Sequence, residues 1–413
     1  MTVLDIDEER LWTRLMQLAG IGATPGGGVD RQALTDGEAQ AWRLVIGWAA
    51  EAGLEASADR AANLFLTLPG RDRKLPPLMI GSHLDTQPTG GRFDGAFGVL
   101  AALEAATVIA GQGATPERDL VVVAWMNEEG SRFAPGMMGS NVFAGLRPLE
   151  EIRAAVDTRG ISAGAEIDRL LSAFPELPVR DPGFALLAYV EAHIEQHVLL
   201  EQAGKAVGIV TAIQGKKTWE IVIGGEKGHA GTLAMDRRRD AVAAFARIAA
   251  ALYAGIGGYD DLVKFTIGRV DVEPNAPSVV VDAVRFRIDL RHPETTTLQA
   301  CAQLVQEICA REAAPCKVEV KPLVSTASTP FDEGLRIMLG AAAAARAIPA
   351  MPVLSYAGHD ALQMAGVCPS AMIFIPCRDG ISHSETEWAE PAHVAAGARV
   401  LLDVAAGIES FVR

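Results

Sequence analysis

Strongly β-prone apolar runs that stop abruptly in imidazole or carboxylate side chains constrain this chain more than any other feature. The run 119–126 ends in Asn127, Glu128 and Glu129, and the run 78–80 opens into GSHLDTQPTGGRFDGAFG, residues 81–98. A third run, 371–375, leads into FIPCRDGISHSETEW, and in YVEAHIEQHVLLEQ the residues Glu191, His193 and Glu195 alternate with apolar ones before a helical rhythm begins. Buried strands that end in polar loops describe an open α/β sheet, whose functional side chains gather outside the strand ends.

Five residues at these junctions have ligand chemistry: His83, Asp94, Glu129, His193 and His383. His83 would act as a neutral imidazole, with Asp85 two residues on to accept its other ring proton and fix the tautomer. Asp94, between Gly91 and Gly95, offers two carboxylate oxygens that could bridge two cations. Adjacent carboxylates at a buried strand end repel unless a cation sits beside them, so Glu128 and Glu129 call for positive charge. We assign Glu129 as ligand and Glu128 as the unligated acid/base facing a water, although spacing alone does not order the two. A lone histidine at a strand end is more often structural; four such junctions in one chain favour a dinuclear site.

The strings GSHLDTQPTGGRFDG, NEEGSRF, AHIEQH, GHAGT, IDLRHP, AGHDA and GISHSETE occur in this order. They resemble the metal-dependent aminoacylase and carboxypeptidase superfamily, within it the hydantoinase/carbamoylase branch of N-carbamoyl-L-amino-acid hydrolases, β-ureidopropionases and allantoate amidohydrolases. The resemblance runs from about Leu11 to the C-terminus. It implies one metal held by His83, Asp94 and His193, a second held by Asp94, Glu129 and His383, and Glu128 as catalytic acid/base. It further implies substrate contacts from Gln196, His229, Asn275, Arg291 and the backbone around Gly358, with His229 also stabilising the developing oxyanion and arriving from the partner subunit of a homodimer. The two divalent ions would be zinc first, with manganese, cobalt or nickel as alternatives. The implied reaction is hydrolysis of a linear amide or ureido C–N bond in a small carboxylate-bearing molecule, an N-carbamoyl-L-amino acid first, then allantoate or β-ureidopropionate. A dipeptidase or aminoacylase of the same superfamily is the nearest rival, and a non-catalytic, metal-stabilised binding protein a remote one. Four positions depart from the family pattern: Ser278 stands for a second asparagine, Gly228 for an asparagine, Ala234 for a proline and His197 for a glycine.

At 413 residues the chain exceeds the size at which one core stops growing. We divide it into a discontinuous catalytic domain, residues 1–212 and 327–413, and an inserted ferredoxin-like α+β lid and dimerisation domain, residues 213–326. In the first, helices at 8–19, at 35–49 behind a Thr35/Glu38 capping box, and at 98–109 alternate with strands at 62–68, 77–81 and 119–126 around a mixed, largely parallel sheet. The insert reads strand 217–224, helix 234–254, strands 262–272 and 278–290, helix 294–313 and strand 316–323. Helices at 333–347 and 391–412 close the chain. A net charge of −14 without a basic stripe argues against nucleic acid. No apolar run is expected to reach the roughly 18 residues that span a bilayer. Five cysteines without CxxC spacing and an acidic start without an export signal lead us to expect a cytoplasmic protein.

Overall fold

The structure is a computed structural model that describes residues 4–113 and 115–411; Val412, the last residue of the expected closing helix, lies outside them. The chain divides into two compact units, Met1–Thr211 with Phe331–Arg413, and Ala212–Pro330.

The first unit opens with α1 (Glu8–Ala19), capped by Asp7, which accepts from the Arg10 amide, and seated by Leu11, Leu15 and Leu18. In α2 (Asp36–Glu51) the Thr35 hydroxyl accepts from the Glu38 amide. The reciprocal bond of the expected capping box goes one residue further out, from the Leu34 amide to the Glu38 carboxylate. Then follow β1 (Glu55–Asp59), β2 (Leu64–Leu68), β3 (Leu78–His83), α3 (Ala96–Gly111) and β4 (Leu120–Trp125). Three short helices, α4 (Met138–Phe143), α5 (Leu149–Ala154) and α6 (Ala163–Ser172), lead to β5 (Val179–Arg180), β6 (Ala188–Ile194), α7 (Leu199–Gln202) and β7 (Val207–Ile213).

In the second unit come β8 (Gly215–Gly224), β9 (Gly228–His229), α8 (Ala241–Gly255), β10 (Lys264–Glu273), β11 (Val279–Val280), β12 (Ala283–His292), α9 (Thr295–Glu312), β13 (Lys317–Thr326) and β14 (Thr329–Pro330). Its main sheet is antiparallel in the order β10-β12-β8-β13, and α8 and α9 bury Ile248, Leu252, Val305 and Ile308 in the core beneath it. Along β12 Val284, Phe286, Ile288 and Leu290 are buried, while Arg285 and Arg287 emerge on the other face and pair with Glu220. Two expectations change here. The single strand expected over 278–290 is interrupted, because β11 leaves to pair with β9. The helix expected from 234 begins only at Ala241, where Asp240 caps the Val242 and Ala243 amides, so the preceding arginines sit in a short 3-10 turn and a loop.

The chain returns to the first unit through α10 (Glu333–Ala345), β15 (Ala350–Ser355), α11 (Asp360–Met364), β16 (Ser370–Ile375) and α12 (Pro391–Gly407). The large sheet is mixed: a parallel centre β16-β6-β3-β4 is extended by antiparallel strands, β7 beside β16, and β2 then β1 beyond β4. Helix α3 is buried on nearly every side, which explains its lack of a polar face. The membrane expectation needs a correction, since Pro391–Ser410 is long and apolar enough to cross a bilayer. That segment packs instead against the core, burying Val394, Val400, Leu401 and Leu402.

Candidate metal centre

The parallel centre of the sheet sets out the site. His83 is the last residue of β3 and His193 the penultimate residue of its neighbour β6, so the imidazole rings lie 5.7 Å apart, each side chain 1% exposed. Asp94 reaches them from the loop before α3. At Gly95, where φ is +64°, an added Cβ would stand 2.4 Å from the His83 ring; only glycine lets the loop pass. Asp94 Oδ1 lies 3.0 Å from His193 Nε2 and 3.4 Å from His83 Nε2.

The other Asp94 oxygen serves a second group. Oδ2 is 3.4 Å from His383 Nε2, which lies 3.3 Å from Glu129 Oε2. It also accepts from Gln196 Nε2 at 2.9 Å and Ser382 Oγ at 2.8 Å. Two sets of ligand atoms result, His83–Asp94–His193 and Asp94–Glu129–His383, each gathered within 4.8 Å. Glu128 belongs to neither; its Oε2 stands 3.6 Å from His83 Nε2.

Asp85 behaves differently from the expectation. The His83 Nδ1 proton meets the backbone carbonyl of Asp85 at 3.0 Å, while its carboxylate accepts the amides of Glu128 (3.1 Å) and Glu129 (3.2 Å). One residue thus fixes a histidine tautomer through its main chain and the 127–129 turn through its side chain.

The electrostatics of the site favour bound cations. Burial, with the Asp360, Glu129 and Asp85 charges, holds Glu128 well above the carboxylate range despite the opposing His83. Burial and Asp94 push Glu129 up to about 7. Asp94 stays well below the usual range, because the surrounding histidines outweigh its own burial. Buried carboxylates in this number require cations. His83 Nε2 is moreover buried without a hydrogen-bond partner, which fits a metal-ligand atom. The donor set of imidazoles and carboxylates fits two divalent ions such as zinc, manganese, cobalt or nickel.

Other named residues fall in both units. Gly358 lies in the first, where a Cβ would come 3.3 Å from Met137. His229 pairs with Val279 between β9 and β11, Asn275 has φ +51°, and Arg291 on β12 holds Asp289 at 2.8 Å; all three belong to the second unit. Of the departures from the family pattern, His197 stacks on Tyr356 at 5.2 Å. Cys377 is buried and its thiol pushed up to about 12 by burial, so it has no thiolate chemistry to offer.

Sequence reasoning missed Glu387, whose Oε1 accepts the amides of Phe93 (2.9 Å) and Asp94 (3.1 Å), anchoring the bridging loop. It also missed Gln87, which donates to Glu129 Oε2 at 2.7 Å, and Ser382. Glu387 closes the GISHSETE string, so its position beside His383 was the available signal.

A family model for peptidase family M20/M25/M40 matches residues 79–407. The chain is 38% identical over 401 residues to an N-carbamoyl-L-amino-acid amidohydrolase of Rhizobium meliloti, covering 96% of this chain and 95% of the relative. It is 32% identical to an allantoate amidohydrolase of Escherichia coli (strain K12), covering 93% and 94%. A solved structure from Burkholderia multivorans, an amidase of the hydantoinase/carbamoylase family, superposes with a TM-score of 0.89 at 39% identity and covers 98% of both chains. On this match and these ligand groups, the chain belongs to peptidase family M20/M25/M40, in its hydantoinase/carbamoylase branch.

Proposed function

We propose that this chain is a dinuclear metal-dependent amidohydrolase that cleaves the ureido C–N bond of a small carboxylate-bearing substrate, an N-carbamoyl-L-amino acid first. The observation that carries the reading is Asp94 shared between two ligand groups, with Glu128 beside them in neither. Two divalent ions in these groups would acidify a water and polarise the scissile carbonyl. His83, Asp94 and His193 would hold one ion and Asp94, Glu129 and His383 the other. Glu128, 3.6 Å from His83 and outside both groups, would accept a proton from the attacking water and deliver it to the departing nitrogen. His229 would steady the oxyanion, while Gln196, Asn275, Arg291 and the Gly358 backbone would orient the substrate, Arg291 through its planar guanidinium facing the carboxylate. Water and a carbamoyl group then yield ammonia, carbon dioxide and the free amine.

Zinc is our first metal. A homodimer formed through the second unit, with His229 given to the neighbouring site, completes the reading. Five unpaired, buried cysteines support a reducing, cytoplasmic setting. Allantoate is the second substrate, supported by the allantoate amidohydrolases among the relatives. Hydrolysis of N-carbamoyl-L-amino acids and allantoate, read as ammonia release, and of N-acyl amino acids and dipeptides, read as the free amino group formed, tests the assignment after metal reconstitution. Release from N-carbamoyl-L-amino acids is expected; cleavage of N-acyl amino acids or dipeptides alone would refute it.

A further inference from the structure

A cavity in the first unit lies away from the metal centre. It has a volume of about 690 Å³ and lies against the opposite ends of the same strands, beside Asp119, just ahead of β4, and Pro77, just ahead of β3. With His83 at the far end of β3, roughly 17 Å of strand separates the two. A volume of this size matches ordinary small-molecule sites.

Its charge runs against the molecule. The chain carries −14 overall, yet the cavity lining has three cations, Arg73, Lys74 and Arg180, against two carboxylates, Glu55 and Asp119. Both carboxylates are engaged by Arg73, at 2.8 Å for Glu55 and 3.3 Å for Asp119, and Asp119 also accepts the Gly70 amide at 2.8 Å. Lys74 is exposed at the rim. Arg180 is held between two rings, its guanidinium 4.0 Å from the Phe184 centroid and 4.5 Å from that of Phe65. Its Nε and one terminal nitrogen are buried without a hydrogen-bond partner. Asp59, whose charge is felt by Arg180, is taken up by the Ala61 and Asn63 amides and the Asn63 side chain. Buried guanidinium donors without acceptors are costly, and stacking on two aromatic faces fixes the plane of the Arg180 guanidinium at the cavity wall.

We propose that this cavity binds a small organic carboxylate: the carboxylate meets Arg180 and Lys74, and a flat or apolar body lies along Phe184, Pro76 and Pro77. Ser57 and Thr67 add hydroxyls to the lining for a polar substituent. The site is remote from the metals, so its ligand is an effector or a stored product and not the reacting molecule.

The test is calorimetric titration of the metal-loaded protein with benzoate and, separately, with inorganic phosphate. Saturable benzoate binding is expected, weakened about tenfold or more in Arg180→Gln and about threefold in Lys74→Glu. Should Arg180→Gln not fold, Lys74→Glu, altered only at the exposed rim, decides alone. Absence of saturable benzoate binding, binding of phosphate without benzoate, or an unchanged benzoate affinity in the folded variants would each overturn the proposal.

Discussion

The two ligand groups that share Asp94 differ in how deeply they are held. The side chains of His83, Asp94 and His193 are all buried, and in the other group the Glu129 side chain is 4% exposed while that of His383 is 49% exposed. The cause is topological. His83 and His193 stand within adjacent parallel strands at the centre of the sheet, but His383 sits eight residues beyond the end of β16, on a loop residue with φ +52°. The inner group is built by the core and the outer group by loops, so the outer ion should exchange more readily.

Removing what both groups share should have the largest effect. Asp94→Ala is expected to abolish binding of both ions and all hydrolysis, measured by metal analysis and ammonia release; one tightly held ion in this variant would show that the groups are independent. Next comes Glu128→Gln, expected to keep both ions while turnover falls roughly 10²- to 10⁴-fold. Near-normal turnover would remove Glu128 from proton transfer.

A paired substitution sharpens the contrast. His193→Ala leaves buried carboxylates without their partner and should destabilise the fold by about 2–4 kcal/mol in addition to losing an ion. His383→Ala, at the half-exposed position, should lose one ion with much less change in melting temperature. Equal destabilisation would contradict the core-against-loop distinction.

The pH dependence of the metal-free protein offers a further test. Burial and Asp94 raise Glu129 to about 7 and Glu387 to about 8, and hydrogen bonding to Asp94 raises His383 to about 9. All three bind protons more tightly folded than unfolded, so their contribution to stability is full at low pH and is lost as pH rises through 7 to 9. Burial of His359 as the neutral ring acts in the opposite sense, but only below its ordinary 6.5. The melting temperature of metal-free protein should therefore fall between pH 6.5 and 9, and divalent ions should flatten the fall. An equal slope with and without metal would mean that these groups do not face the ions.

The smallest effect is expected at His197→Gly, which removes the ring stacked on Tyr356 and should change KM across substrates more than turnover.

The same contrast marks what could be read in the sequence. The five candidate positions that the structure gathers into two groups were legible in the sequence: His83, Glu129 and His383 lie beyond apolar runs, whose abrupt ends are a local signal, His193 alternates with apolar residues, and Asp94 sits in a glycine-rich loop. The mixed, largely parallel sheet with flanking helices was legible for the same reason. Glu387 was not, because its partners, the Phe93 and Asp94 amides, lie 294 and 293 residues away. Nor was the division of labour within Asp85, since residue spacing does not distinguish a carbonyl from a carboxylate of one residue. The late start of α8 escaped too: the arginines ahead of Asp240 are good helix formers, and the cap overrode their propensity.

The most direct measurement is titration of metal-stripped protein with a divalent ion, followed by calorimetry. The account expects two equivalents per chain with separable affinities, the weaker one removed in His383→Ala. A single equivalent in the unaltered chain, or none, would contradict a carboxylate shared between two ions.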